Sequence, residues 1–150
     1  MTTRACHAVA LVLLLGACTA QPPPAVATDE AAIVAQMRAT WEKPEAPLDA
    51  GPVVAEGDHA VADWTQGARG GRALLKREHG EWITVLCAGD GIRSAESLQA
   101  VGVPVAQATA LAAKLAKAEQ AVPAERLARM SAFLGVVRMQ QGDSAHGRGH

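Results

Sequence analysis

The chain predicts an α+β domain: an N-terminal helix packed on a small antiparallel β-sheet of three to four strands, followed by C-terminal helices. Three observations carry this expectation. Ile33, Met37 and Trp41 recur at helical spacing. From Pro52 to Ala88 the pattern changes to short apolar runs separated by glycine-containing turns. After Gly91 an alanine-rich, helix-type periodicity takes over.

Each element follows from local chemistry. Thr28 is a good N-cap, because its hydroxyl can accept from an orphan backbone N–H, and Asp29 and Glu30 suit the positive end of the helix dipole. Pro44 and Pro47 end that helix. Val53 to Ala55 predicts a strand leading to a turn at Glu56-Gly57-Asp58, and Ala60 to Thr65 a second strand. Gln66-Gly67 and Gly70-Gly71 bracket a further turn or bulge. Ala73 to Arg77 should pair with Trp82 to Leu86 around His79-Gly80, since glycine takes the positive φ that a tight hairpin needs. Alternation puts Ile83, Val85 and Cys87 on one face, expected against the first helix, and Trp82, Thr84 and Leu86 on the other. Ser94 caps a short helix through Val101, Gly102 and Pro104 mark a stop and restart, and Val105 to Ala121 forms a longer helix. Pro123 opens a last helix carrying Leu127, Met130 and Leu134.

The first 17 residues have the layout of a secretory signal. Arg4 and His7 form a polar start, Ala8 to Leu15 an uninterrupted apolar run, and Gly16-Ala17 a small-residue cleavage site. The run is too short to span a bilayer, which needs about 20 residues. Leu15-Gly16-Ala17-Cys18 matches the lipobox of bacterial lipoprotein signals, so Cys18 is expected to carry acyl chains. Two or more chains anchor stably where one does not. Thr19 follows Cys18, with no Asp there to favour the inner membrane. The expected location is the cell envelope, lipid-anchored, periplasm-facing and at the outer membrane. The expected organisation is a signal peptide at 1–17, a lipidated cysteine and Pro-rich tether at 18–27, one domain at 28–139 and a Gly/His tail at 140–150.

Processing simplifies the cysteines. Of three, Cys6 leaves with the signal and Cys18 is lipidated, so only Cys87 remains and no internal disulfide can form. Cys87 is then a buried structural thiol, a metal ligand or a reactive group. Lys+Arg total 14 against 15 Asp+Glu, there is no Tyr and one Phe, and no basic stripe appears, so nucleic acid is not an expected partner.

No phosphate loop, nucleophile elbow, His-Glu-x-x-His or Cys-x-x-Cys motif is present, and no enzymatic activity is expected. A cupped sheet could hold a small-ligand pocket behind Trp64 and Trp82, with Asp63 or His59 as acid or base. Metal ligation is the better-supported chemistry. Thiolate and thioether sulfurs suit Cu(I), and imidazole suits copper in either oxidation state. The candidate ligands are Met139, His146 and His150, with Cys87 next; Met130 sits on a helical apolar stripe and is expected in the core.

Ala62-Asp63-Trp64-Thr65-Gln66-Gly67, Gly70 to Leu75, Gly80-Glu81-Trp82 and Leu86 to Gly91 together resemble a family of small bacterial envelope proteins, the copper uptake system-associated proteins. Ala39 to Leu48 and Gly102-Val103-Pro104 fit the same pattern. The resemblance implies a non-enzymatic accessory that binds, delivers or senses copper, or supports an envelope protein that takes copper up, and it supplies no ligand set. A metal-free membrane-anchored interaction module and a small-ligand-binding domain are the alternatives.

Overall fold

The computed structural model describes residues 28–139. The signal segment, Cys18, the tether and the tail with His146 and His150 lie outside these residues. Helix α1 spans Asp29–Trp41 and begins as expected, with Thr28 Oγ1 accepting from Ala31 N at 3.3 Å. Ile33 and Met37 are buried, and the helix ends where Glu42 turns extended. Strands β1 (Leu48–Glu56), β2 (His59–Gln66), β3 (Arg69–Glu78) and β4 (Glu81–Ala88) follow as an antiparallel meander. A 3₁₀ turn at Asp90–Ile92 leads to α2 (Ala95–Ala100), α3 (Val105–Glu119) and α4 (Ala124–Ser131). The last described strand is β5 (Val136–Arg138), which pairs antiparallel with β4 and makes the strand order β1-β2-β3-β4-β5.

The α+β class holds, with five strands where three to four were expected. The extra strand comes from the last segment. Leu134 does not continue the α4 stripe: the helix ends at Ser131, Gly135 takes φ 75°, and Leu134 is exposed. The hairpin at His79-Gly80 is as expected, with φ 52° and 85° at the two turn residues, the left-handed pair that matches strand twist. Gly70 and Gly71 lie inside β3 rather than flanking its turn. A Cβ on Gly70 would sit 3.3 Å from Met130 Cγ, and one on Gly71 3.2 Å from Phe133 Cδ2. These glycines let α4 and the segment after it pack down on the sheet.

Two irregularities decide which side chains face which layer. Between Ala50 and Val53 the edge strand β1 takes an extra residue against β2, where Pro52 breaks no ladder. Between β3 and β4 the register steps from Leu74↔Leu86 to Leu75↔Thr84, leaving Val85 as the extra residue. The bulge reverses the alternation within β4. Trp82 and Cys87 therefore share the α1 face, while Leu86 and Ile83 lie on the opposite face. The expectation that Ile83, Val85 and Cys87 share the helix-facing side holds for Cys87 and fails for Ile83, because a strand with an inserted residue no longer has period two.

Two cores result, one on each side of the sheet. On one side Ile33, Met37 and Leu48 pack on Ala60, Ala62, Leu75 and Trp82. On the other, Leu98, Leu111 and Leu115 pack on Val54, Val61, Leu74 and Leu86. Small residues in the middle strands, Ala60, Ala62 and Ala73, let the α1 layer approach closely. Arg126 of α4 ties the helix to the β1 bulge, donating to Gly51 O at 2.7 Å and pairing with Asp49. Among the described residues no helix is long and apolar enough to cross a membrane.

Candidate metal centre

The α1 face of the sheet carries a cavity of about 310 Å³. Three sulfur-bearing residues, from separate segments, line it. Helix periodicity points Met37 inward beside Trp41, one turn on. The Val85 bulge turns Cys87 onto the same side. Strand β5 pairs Val137 with Cys87, and Met139 N then donates to Val85 O at 2.8 Å, so Val137 and Met139, two residues apart, both line the cavity. Trp64 and Phe133 complete the wall, edge-on to each other with ring centroids 6.0 Å apart.

Burial dominates the chemistry of the thiol. Cys87 is 8% exposed, and desolvation pushes its pKa up to about 11, with the Trp64 side chain opposing as the smaller effect. At neutral pH the group is a protonated thiol, a poor nucleophile and a ligand only for a metal that can displace its proton. Among the described residues no three His, Cys, Asp or Glu side chains come together as a metal cage. The donors that do come together are sulfurs.

Of the residues predicted to ligate, Cys87 and Met139 thus share one cavity, and His146 and His150 lie outside the described residues. Met130 is fully buried, as expected for a core residue. His59 Nδ1 lies 2.6 Å from Gln107 Oε1, a contact that fastens α3 to β2. His59 borders a second, larger cleft of about 570 Å³ beside Lys76, Ile83 and Val103, which Met139 also lines. Trp82 is buried in the core with the Arg77 guanidinium 4.5 Å above its ring, so the cavity lies beside Trp64 and not behind both tryptophans.

Asp63 belongs to a separate charged group on the opposite face. It stands directly across from Arg72 in the β2–β3 register, and both side chains are completely buried. Arg72 Nε donates to Glu119 Oε1 at 2.6 Å and lies 3.6 Å from Asp63 Oδ1; Arg72 Nη1 donates to Asp90 Oδ1 at 3.1 Å. Arg93 Nη2 meets the other oxygen of Glu119 at 2.7 Å. Among the described residues neither oxygen of Asp63 has a hydrogen-bond partner. Burial and then repulsion from Glu119 raise its pKa from 3.8 to about 7, against the opposing pull of Arg72, Arg126 and Arg93. Three carboxylates face two close guanidiniums here, so one acid retains its proton most readily, and it is the one without hydrogen bonds.

Sequence reasoning missed Met37 as a cavity residue and Arg72 with Glu119 as partners of Asp63. A methionine on a helical apolar stripe signals core packing, and Met37 satisfies that signal while also lining the cavity. For the charged group the available signal was the pairing of Asp63 and Arg72 across the Gly67 turn, had the register been assigned. Comparison with family models, curated proteins and solved structures finds no match for this chain.

Proposed function

We propose that the protein is a non-enzymatic copper-handling lipoprotein of the bacterial envelope, anchored through Cys18 and binding or delivering copper as cargo. The observation that carries this reading is the convergence of Cys87 and Met139, distant in sequence, on one apolar cavity. Soft sulfur donors suit copper, and the resemblance to copper uptake system-associated proteins points the same way. The lipobox at Leu15 to Cys18 supports delivery at a membrane surface, where an envelope copper-uptake protein is the natural partner.

The test is a Cu(I) competition titration under reducing conditions on the chain starting at Thr19, beside a copy truncated after Gln140. Binding that survives truncation and is lost on Cys87→Ala supports a site in the folded domain. Binding lost on truncation moves the ligands to His146 and His150. No binding by either chain removes direct copper handling.

A second reading is favoured by one feature of the surface. Strand β5 is an open sheet edge, and Val136, Val137 and nearby Leu134 are 47%, 49% and 90% exposed. An envelope partner could add a strand there, which would make the domain a metal-free interaction module. Charged substitutions at Val136 and Leu134 would abolish such docking and leave copper binding unchanged.

A further inference from the structure

We infer that Met37, Cys87 and Met139 together form a Cu(I)-selective site of one thiolate and two thioethers, walled by Trp41 and Trp64. This rests on the copper reading above and names the oxidation state and the third ligand that the reading leaves open.

The donor set decides the metal. Among the described residues the cavity is lined by the three sulfurs, aromatic rings, Leu48, Val137, the Gln66 amide and Arg69, with no imidazole and no carboxylate. Cu(II) and Zn(II) favour nitrogen and oxygen donors or several thiolates, and find only one thiolate here. Cu(I) is soft and accepts thioethers. The Gln66 amide is already engaged through its nitrogen, which donates to Trp41 O and Ala46 O at 2.8 Å each and so pins the turn behind α1. Methionine is unbranched and adaptable, so Met37 and Met139 can swing their sulfurs toward an entering ion without moving the backbone.

Charge balance favours the same ion. When Cu(I) enters, the Cys87 S–H bond breaks, a Cu–S bond forms and the proton leaves to solvent, with no electron transferred. One positive charge replaces another, so the net charge of the cavity is unchanged and Arg69 on its lining meets no added positive charge. A divalent ion would leave a net positive charge in an apolar site beside that guanidinium, which is costly.

The site also spans the fold. Its ligands come from α1, β4 and the residue that follows β5, so occupancy would tie the last strand to the first helix and stabilise the native state by an amount that grows with the logarithm of the affinity.

The experiment uses the chain from Thr19 onward, which keeps every described residue and the tail, with Met37→Leu and Met139→Leu as near volume-conserving variants and Cys87→Ala beside them. Circular dichroism first checks that each folds. Cu(I) affinity is read by competition, Ag(I) serves as a redox-inert probe followed by tryptophan fluorescence, and copper-edge X-ray absorption reports the ligand atoms. The expected result is an all-sulfur shell, quenching by Ag(I), no comparable binding of Zn(II), and weakening on the order of tenfold or more for each of the three variants, as large as the loss seen when a ligand's supporting shell is removed. Unchanged affinity in Met37→Leu with loss in Cys87→Ala would overturn the three-sulfur site while copper handling stands. A nitrogen- or oxygen-rich shell would overturn it in favour of the tail histidines. Failure of the unsubstituted chain to bind Cu(I) would remove both readings together.

Discussion

Replacing Asp63 by asparagine should change how stability depends on pH, and the size of the change follows from the burial of the side chain. In the unfolded chain the carboxyl titrates at the ordinary 3.8; in the native protein it is raised to about 7, first by burial and then by Glu119. Between those values the native chain binds more protons than the unfolded one, so stability falls as pH rises. The contribution is fully present below about pH 4 and gone above about pH 7. Each pH unit in the window corresponds to about 1.4 kcal/mol, and a window of roughly three units gives a total of about 4 kcal/mol. The asparagine amide would keep the shape and never ionise. The stability of Asp63→Asn minus that of the unsubstituted protein, measured by urea unfolding at half-unit steps from about pH 4 to 8, should therefore rise by up to about 4 kcal/mol, most of it between about pH 4.5 and 7. Most other groups titrate alike in both chains and cancel in the difference. A flat difference, or one that falls with pH, would refute the reasoning: it would mean that Arg72, 3.6 Å away, holds Asp63 ionised and that the pair behaves as an ordinary buried ion pair.

Three further outcomes follow from the same geometry. Arg72→Met should destabilise the fold by up to about 3–5 kcal/mol near neutral pH, because Glu119 stays buried and loses its 2.6 Å partner, with Arg93 at 2.7 Å left to offset part of the loss; urea midpoints measure this. Gly89→Ala should cost about 1–3 kcal/mol by thermal or urea unfolding, since its Cβ would lie 2.5 Å from the Phe133 carbonyl oxygen, a backbone atom that cannot swing aside. The Cys87 thiol should react with iodoacetamide far more slowly than a free cysteine at about pH 8, because its pKa of about 11 leaves little thiolate, and it should reach normal rates only in denaturant.

How much of the fold was legible in the sequence depended on whether a feature was local. Helix α1 was legible from the Ile33-Met37-Trp41 stripe and the Thr28 cap, both of which act within a few residues. The His79-Gly80 hairpin was legible because two left-handed residues between apolar runs admit few other structures. Strand β5 was not: Val136 to Arg138 is three residues long, exposed, and held by pairing with β4, so its existence depends on a partner strand far back in the chain. The charged group around Arg72 was hidden for a similar reason. Only the β2–β3 register sets Asp63 across from it, and only the docking of α3 brings Glu119 down from the other layer.

The Val85 bulge joins the fold to the candidate site. Without the extra residue, strict alternation would place Cys87 and Trp82 on opposite faces, and one of the two would leave the α1 core for the α3 side. With it, Trp82 joins the α1 core while Cys87, further along, lines the cavity that Met37 also lines. The carbonyl of Val85 is then available to accept from Met139 N, which fastens the end of the last strand at the point where its thioether enters the cavity. One inserted residue thus positions two of the three sulfurs, by turning one onto the face and by docking the other. A bulge beside a site that re-aims a side chain is a recurring device in sheets. Here the regular run Trp82 to Ala88 conceals it, since every residue in the run is compatible with a straight strand and the insertion is visible only against its partner β3.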